Sequence, residues 1–241
     1  MTFNGGGGGV RWRTVAIGAV VLAVVVAGLT WVVVSRDGDD APATAPAPGS
    51  PSPTSSVSPP TAGEAYDSAC GLKGGSTQIP TSEPADIKWT RIEGWAFPIS
   101  ASAGPGKRPA TGPWSCFART PMGAVLAAYT IDLRMAVVDD AGFDAIVEQQ
   151  VSPGVGRDAL VALGNQKPES ITDTKGFIVE SYTPDDAIIS LYVVQQGQSA
   201  TCSVEVQWRD GDWRLRALPD GSTSSGCVRA APPKFVPWGD D

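Results

Sequence analysis

The 241-residue sequence contains no histidine. That absence excludes His-based catalytic triads, histidine metal sites and the usual general base near neutral pH. No two of the four cysteines form a C-x-x-C pair, so the common zinc spacings are missing. Basic residues are scarce, with 18 Lys and Arg against 25 Asp and Glu. Three of the 18 and none of the 25 lie in the first 36 positions, so the remainder carries a formal excess of ten acids. A surface of that sign does not track phosphates, so direct nucleic-acid binding is not expected. Its plain consequence is solubility.

Charge is also missing from residues 15–34, VAIGAVVLAVVVAGLTWVVV. At ~1.5 Å per residue a helix of this length matches a hydrocarbon core of ~30 Å. Trp12 and Trp31 stand near its ends, where aromatic anchors are favoured. The run is longer than the apolar part of a signal peptide and no A-x-A follows it, so it reads as an uncleaved anchor. Val25 and Ala27 leave one cleavage option open. Arg11 and Arg13 precede the run, while Arg36 follows it together with Asp37, Asp39 and Asp40. The basic excess on the first side predicts a cytoplasmic N-terminus and an extracellular C-terminal domain on a single-pass anchor in the cell membrane.

Core-forming residues are nearly absent from 41–62, APATAPAPGSPSPTSSVSPPTA. Such a tract cannot bury enough surface to fold. Proline biases it towards polyproline II at ~3.1 Å per residue, a reach of roughly 70 Å. The expected organisation is therefore a cytoplasmic tail (1–14), a transmembrane helix (15–34), a disordered linker (35–64), an extracytoplasmic domain (65–230) and a C-terminal tail (231–241).

Cys70, Cys116, Cys202 and Cys227 all follow the apolar run. An even count outside the cytoplasm suggests two disulfides, and four cysteines allow three pairings. Pairing Cys70–Cys116 and Cys202–Cys227 keeps each loop within its own half of the domain. Four buried free thiols are the alternative.

Residues 63–119 are rich in Gly and Pro, with DIKWTRIEGWAFPIS as the main apolar stretch, expected to give a strand or two. Thr120 then offers an N-cap and Pro121 suits the first helical turn. Met122, Val125, Leu126, Tyr129, Leu133, Ala136 and Val137 recur at helical spacing. Asp139-Asp140 and Gly142 punctuate this helix, Phe143 to Val151 suggests a second, and RDALVALG a third that stops at Gly164. From about 176 the period becomes two, with strands expected at 177–183, 187–195, 201–208 and 212–218. Asp210-Gly211 between the last two is a hairpin signal. Helices followed by a strand meander predict an α+β layer fold.

This order, ending in VEVQWRDGDWRLRAL, resembles the nuclear-transport-factor-2-like cone, in which helices lie on a curved antiparallel sheet. CGL at 70–72, PISASAGPG at 98–106 and CFARTPMGAVLAA at 116–128 further resemble a family of actinobacterial membrane proteins linked to integrative and conjugative elements. The resemblance covers about 65–220. It implies a scaffold of a conjugative or secretion channel, with no catalytic role and no cofactor.

Several residues are candidate sites. Tyr129 and Asp132, three apart on a helix, could serve an isomerase-like cone, or could simply be core and solvated side chains. G-x-G in PGVGRDAL follows a helix, so it reads as a turn and not a phosphate loop. Adjacent acids at Asp139-Asp140 and Asp185-Asp186 lack calcium-loop spacing. Trp208 reads as core, whereas an exposed Trp213 would mark a partner surface. Phe235 and Trp238, on the tail PPKFVPWGDD, either pack back or dock elsewhere. The leading expectation is a non-enzymatic assembly subunit of an envelope complex acting through protein partners, a homo-oligomer among the options. The alternative is a ligand- or wall-sensing module. An open apolar pocket with a convergent Tyr/Asp pair favours the second, and a filled cone with exposed aromatics the first.

Overall fold

The computed structural model describes residues 68, 70–72, 75–168 and 172–239. All belong to one compact unit, 57–241. The apolar run at 15–34 and the tract at 41–62 lie outside the described residues, among which no helix is long and apolar enough to cross a membrane.

The architecture is α+β. A hairpin of β1 (Ile87–Ile92) and β2 (Trp95–Ser100) comes first. Three helices follow, α1 (Pro121–Val137), α2 (Asp140–Gln150) and α3 (Val155–Leu163). The remaining strands are β3 (Asp173–Tyr182), β4 (Asp186–Gln195), β5 (Gln198–Arg209), β6 (Asp212–Leu215), β7 (Ser225–Val228) and β8 (Val236–Pro237). They make one antiparallel sheet in the order β6-β5-β4-β3-β8, with β7 also paired to β5. β4 runs along one edge of β5, so β6 and β7 divide the other, at 206–209 and at 201–203.

The helix signals act as expected. Thr120 Oγ1 accepts from the Gly123 N–H at 3.1 Å, and Asp139 Oδ1 accepts from Gly142 at 2.9 Å. None of the residues of α1 is exposed, because the sheet covers one side and the β1–β2 hairpin the other. A helix apolar on nearly every face is stable only when covered in this way. Three two-residue turns, Glu93-Gly94, Gln196-Gly197 and Asp210-Gly211, carry positive φ at both positions, the conformation that matches strand twist. Only the last has a strong sequence signature.

Of the two options open for the tail, its described part packs back: Val236 pairs with Phe177 and Pro237 with Gly176. Pro is tolerated there because β8 is an edge strand. Gly176 is required by the close approach, since a Cβ there would sit 2.5 Å from the Val236 carbonyl oxygen.

Candidate functional site

Tyr129, Asp132, Leu133 and Ala136 fall on one stripe of α1, at the three-, four- and seven-residue spacings that align side chains. Leu191 and Val193 of β4 and Cys202 and Val204 of β5 face them from alternate positions of the sheet. With Thr174 of β3, Trp95 of β2 and Ser224 they bound a cavity of about 230 Å³. The walls are mainly apolar, and among the described residues Asp132 is the one ionisable acid in them.

Asp132 Oδ1 accepts a short hydrogen bond from the Thr223 hydroxyl. Burial pushes its carboxyl above the usual carboxylate range, and the Thr223 bond only partly opposes this. No cation pairs with it among the described residues. Tyr129 is buried, and its hydroxyl donates to the Ala96 carbonyl at 2.8 Å. The pair expected from sequence is therefore brought to one cavity, but Tyr129 is held by β2. Thr223 carries no sequence signal, since it sits in a Ser/Thr/Gly loop. The Cys202–Cys227 disulfide joins β5 to β7 and fixes this loop on the cavity wall. The second disulfide is Cys70–Cys116.

Residues 47–231 match a domain of unknown function, DUF8175. The chain belongs to the DUF8175 family. No curated protein and no solved structure matches it. The DUF8175 match ends at 231, so β8 and Trp238 lie beyond it although both pack on the domain.

Inside the DUF8175 region, the segments at 98–106 and 116–128 meet in a close backbone junction. A Cβ on Gly123 would lie 1.9 Å from the Ala118 oxygen, and one on Gly104 would lie 2.5 Å from the Cys116 oxygen. Asp212 binds this junction from β6. Its Oδ2 accepts from Cys116 N–H at 2.7 Å, and its Oδ1 from Phe117 N–H at 2.9 Å and Trp213 N–H at 3.0 Å. Burial raises the Asp212 carboxyl as well, against these bonds and the nearby Arg214 charge.

Two of the three residues expected at a partner surface are core. Trp213 has no exposed surface, and its Nε1 donates to the Ala118 carbonyl at 2.9 Å. Trp238 is 3% exposed and packs on Trp89, Tyr129 and Phe177. The reason is β pairing, which turns Trp213 to the same face as its cross-strand partner Trp208 and draws Trp238 inward behind β8. Phe235 is half-buried against Tyr192, with ring centroids 5.0 Å apart. Gly154 and Gly156 form the entry to α3, where a Cβ on Gly156 would lie 2.1 Å from the Ala217 oxygen. Asp139 caps α2, Asp185 pairs with Arg119, and Asp186 pairs with Arg216.

Arg134, missed in the sequence, is 1% exposed on α1 and has no carboxylate partner among the described residues. It donates to the Gly112 carbonyl at 3.1 Å and lies over Trp114 at 5.0 Å. Burial lowers its pKa. Its contacts clamp the 110–114 loop to the helix.

Proposed function

We propose that this is a non-enzymatic, membrane-anchored binding module that takes a small ligand in the cavity beneath α1. The observation that carries the reading is the mainly apolar 230 Å³ space with one carboxyl in its wall. Ligand sites are typically apolar hollows with few polar groups to set orientation. On this reading α1 and the sheet form a cone of the nuclear-transport-factor-2-like type, with the cavity at its mouth. Residues 15–34 anchor it, 35–64 hold it off the bilayer, and the two disulfides support a place outside the cytoplasm. Catalysis is not assigned, because the Tyr129 hydroxyl is already engaged with Ala96.

Ala136→Phe would fill the cavity from a half-buried position. Ligand-observed NMR on the full chain with a set of small aromatic fragments is expected to show binding that this variant loses while its Tm stays close to wild type. Equal fragment binding by both proteins would sink the reading.

One observation favours the assembly reading, linked by motif resemblance to conjugative DNA transfer. Val155, Val161 and Leu163 of α3 are 71%, 58% and 51% exposed. Site-specific crosslinking from Val161 in cells, with mass spectrometry of the products, tests it. Recovery of transfer-channel subunits supports assembly, and an absence of protein crosslinks removes α3 as a docking face.

A further inference from the structure

We propose that the ligand of this cavity is a small organic cation, an apolar ring or short chain bearing one protonated amine, with the ammonium set against Asp132. The inference rests on the binding reading above and adds the chemical class.

The charge arrangement points to it. One Asp132 oxygen accepts from Thr223, and among the described residues no basic side chain lines the cavity. Arg91 and Lys175 line an adjoining narrow cleft, together with Asp173, that shares Tyr129, Thr172 and Thr174 with the cavity. Arg134 is taken up by Gly112 and Trp114. The other polar groups of the wall, Thr172, Thr174, Ser224 and the Tyr129 hydroxyl, are neutral.

An anionic ligand would meet an acid with no counter-charge. A neutral apolar ligand would seal the carboxyl away from water with only the Thr223 hydroxyl as partner and its second oxygen unmatched, which is costly. An ammonium removes both problems, since it supplies three donors and the missing charge. The excess of acids over the rest of the chain also raises the local concentration of cations. Leu133, Leu191, Val193 and Val204 give the body of the ligand an apolar bed. A cavity of about 150 Å³ holds benzene. The 230 Å³ here therefore suits one ring with a short arm.

The test is calorimetric titration of the full chain with three probes of matched shape: phenethylamine, 2-phenylethanol and phenylacetate. Phenethylamine is expected to bind about tenfold or more tighter than 2-phenylethanol, the difference a charge-assisted hydrogen bond makes. Phenylacetate is expected to bind weakest. In Asp132→Asn the amine should fall to the affinity of the alcohol, while the alcohol changes little. Equal binding of amine and alcohol, or preference for phenylacetate, overturns the cation assignment and leaves the cavity reading standing. Because that comparison uses wild-type protein, it does not depend on the variant folding. Failure of all three probes to bind at about 10 mM, beyond the range expected for ligands of this size, overturns both.

Discussion

Asp212 and Asp132 are two partly buried acids of the same fold, and their surroundings treat them in opposite ways. Asp212 receives three backbone N–H donors and stands beside Arg214. Asp132 receives one hydroxyl and faces a cavity. The first is a joint, closing the 116–123 junction against β6. The second has spare acceptor capacity and space in front of it. A buried polar group is normally satisfied within the protein. Where satisfaction is complete the role is structural, and where it is not, something from outside is the natural partner.

The largest effect should come from breaking the joint. Trp213→Ala removes a fully buried indole and its bond to Ala118, and is expected to cost about 3–5 kcal/mol in chemical denaturation. That is a large share of the stability of a typical domain. A cost under about 1 kcal/mol would mean the junction is not held as described.

The disulfides sharpen the comparison next. Each closes a loop, with sequence separations of 46 for Cys70–Cys116 and 25 for Cys202–Cys227. Loop entropy gives about 3–4 kcal/mol for either. Paired Cys→Ser variants should therefore lose similar stability. Only the Cys202/Cys227 pair should also weaken amine binding, because that bridge fixes the loop carrying Thr223. Equal loss of binding in both variants would separate the loop from the site.

Asp212→Asn is a smaller and more selective break. Asn has one acceptor oxygen, whereas Asp212 uses both of its own. Either the Cys116 N–H or the Phe117 and Trp213 N–H groups would then face an NH2 group. The expected loss is about 1–3 kcal/mol by urea titration. No loss would show that the three bonds are dispensable.

The sequence made the helical part and most strands legible, because local chemistry decides them. Thr120-Pro121 starts α1 and Gly164 stops α3 without help from tertiary contacts. β8 was not legible, since a two-residue Val-Pro strand has no periodicity and exists only through β3. Trp213 was within reach and misread. A two-residue turn at Asp210-Gly211 sets Trp208 opposite Trp213, and opposite residues share a face. Trp208 read as core should have carried Trp213 with it. The motifs at 98–106 and 116–128 drew attention as family marks, yet their glycines answer to close backbone approach. The cavity was half legible. Tyr129 and Asp132 could be placed on one stripe, but the space before them depends on where β4 and β5 pass, and Thr223 arrives from a loop with no pattern.

The smallest effect carries the most information about Asp132. Burial raises its folded-state pKa above the unfolded value, so the folded protein favours the protonated form. The sign follows directly. Its contribution to stability is fully present below the unfolded pKa, near 4, and is lost as pH rises through the folded pKa. Asp132→Asn cannot ionise, so it escapes that loss. The variant should have a Tm close to wild type below the unfolded pKa and a higher one above the folded pKa, the gap opening as the wild-type carboxyl ionises. Asp212→Asn should instead lie below wild type, since it leaves an N–H unpaired at every pH, and because burial raises the Asp212 carboxyl too, that deficit should shrink as pH rises. Asp86 provides a control of the other sign. Partial burial works against it, but bonds from Ser102 N–H and from the Ser100 and Ser102 hydroxyls lower its pKa. Its contribution is present above the unfolded pKa and is lost as pH falls through the folded one. Scanning Tm against pH for wild type, Asp132→Asn and Asp212→Asn separates these terms. A gap for Asp132→Asn that does not change with pH would mean the carboxyl is not held out of water. A saturating amine should close that gap, because ligand and substitution relieve the same uncompensated acid.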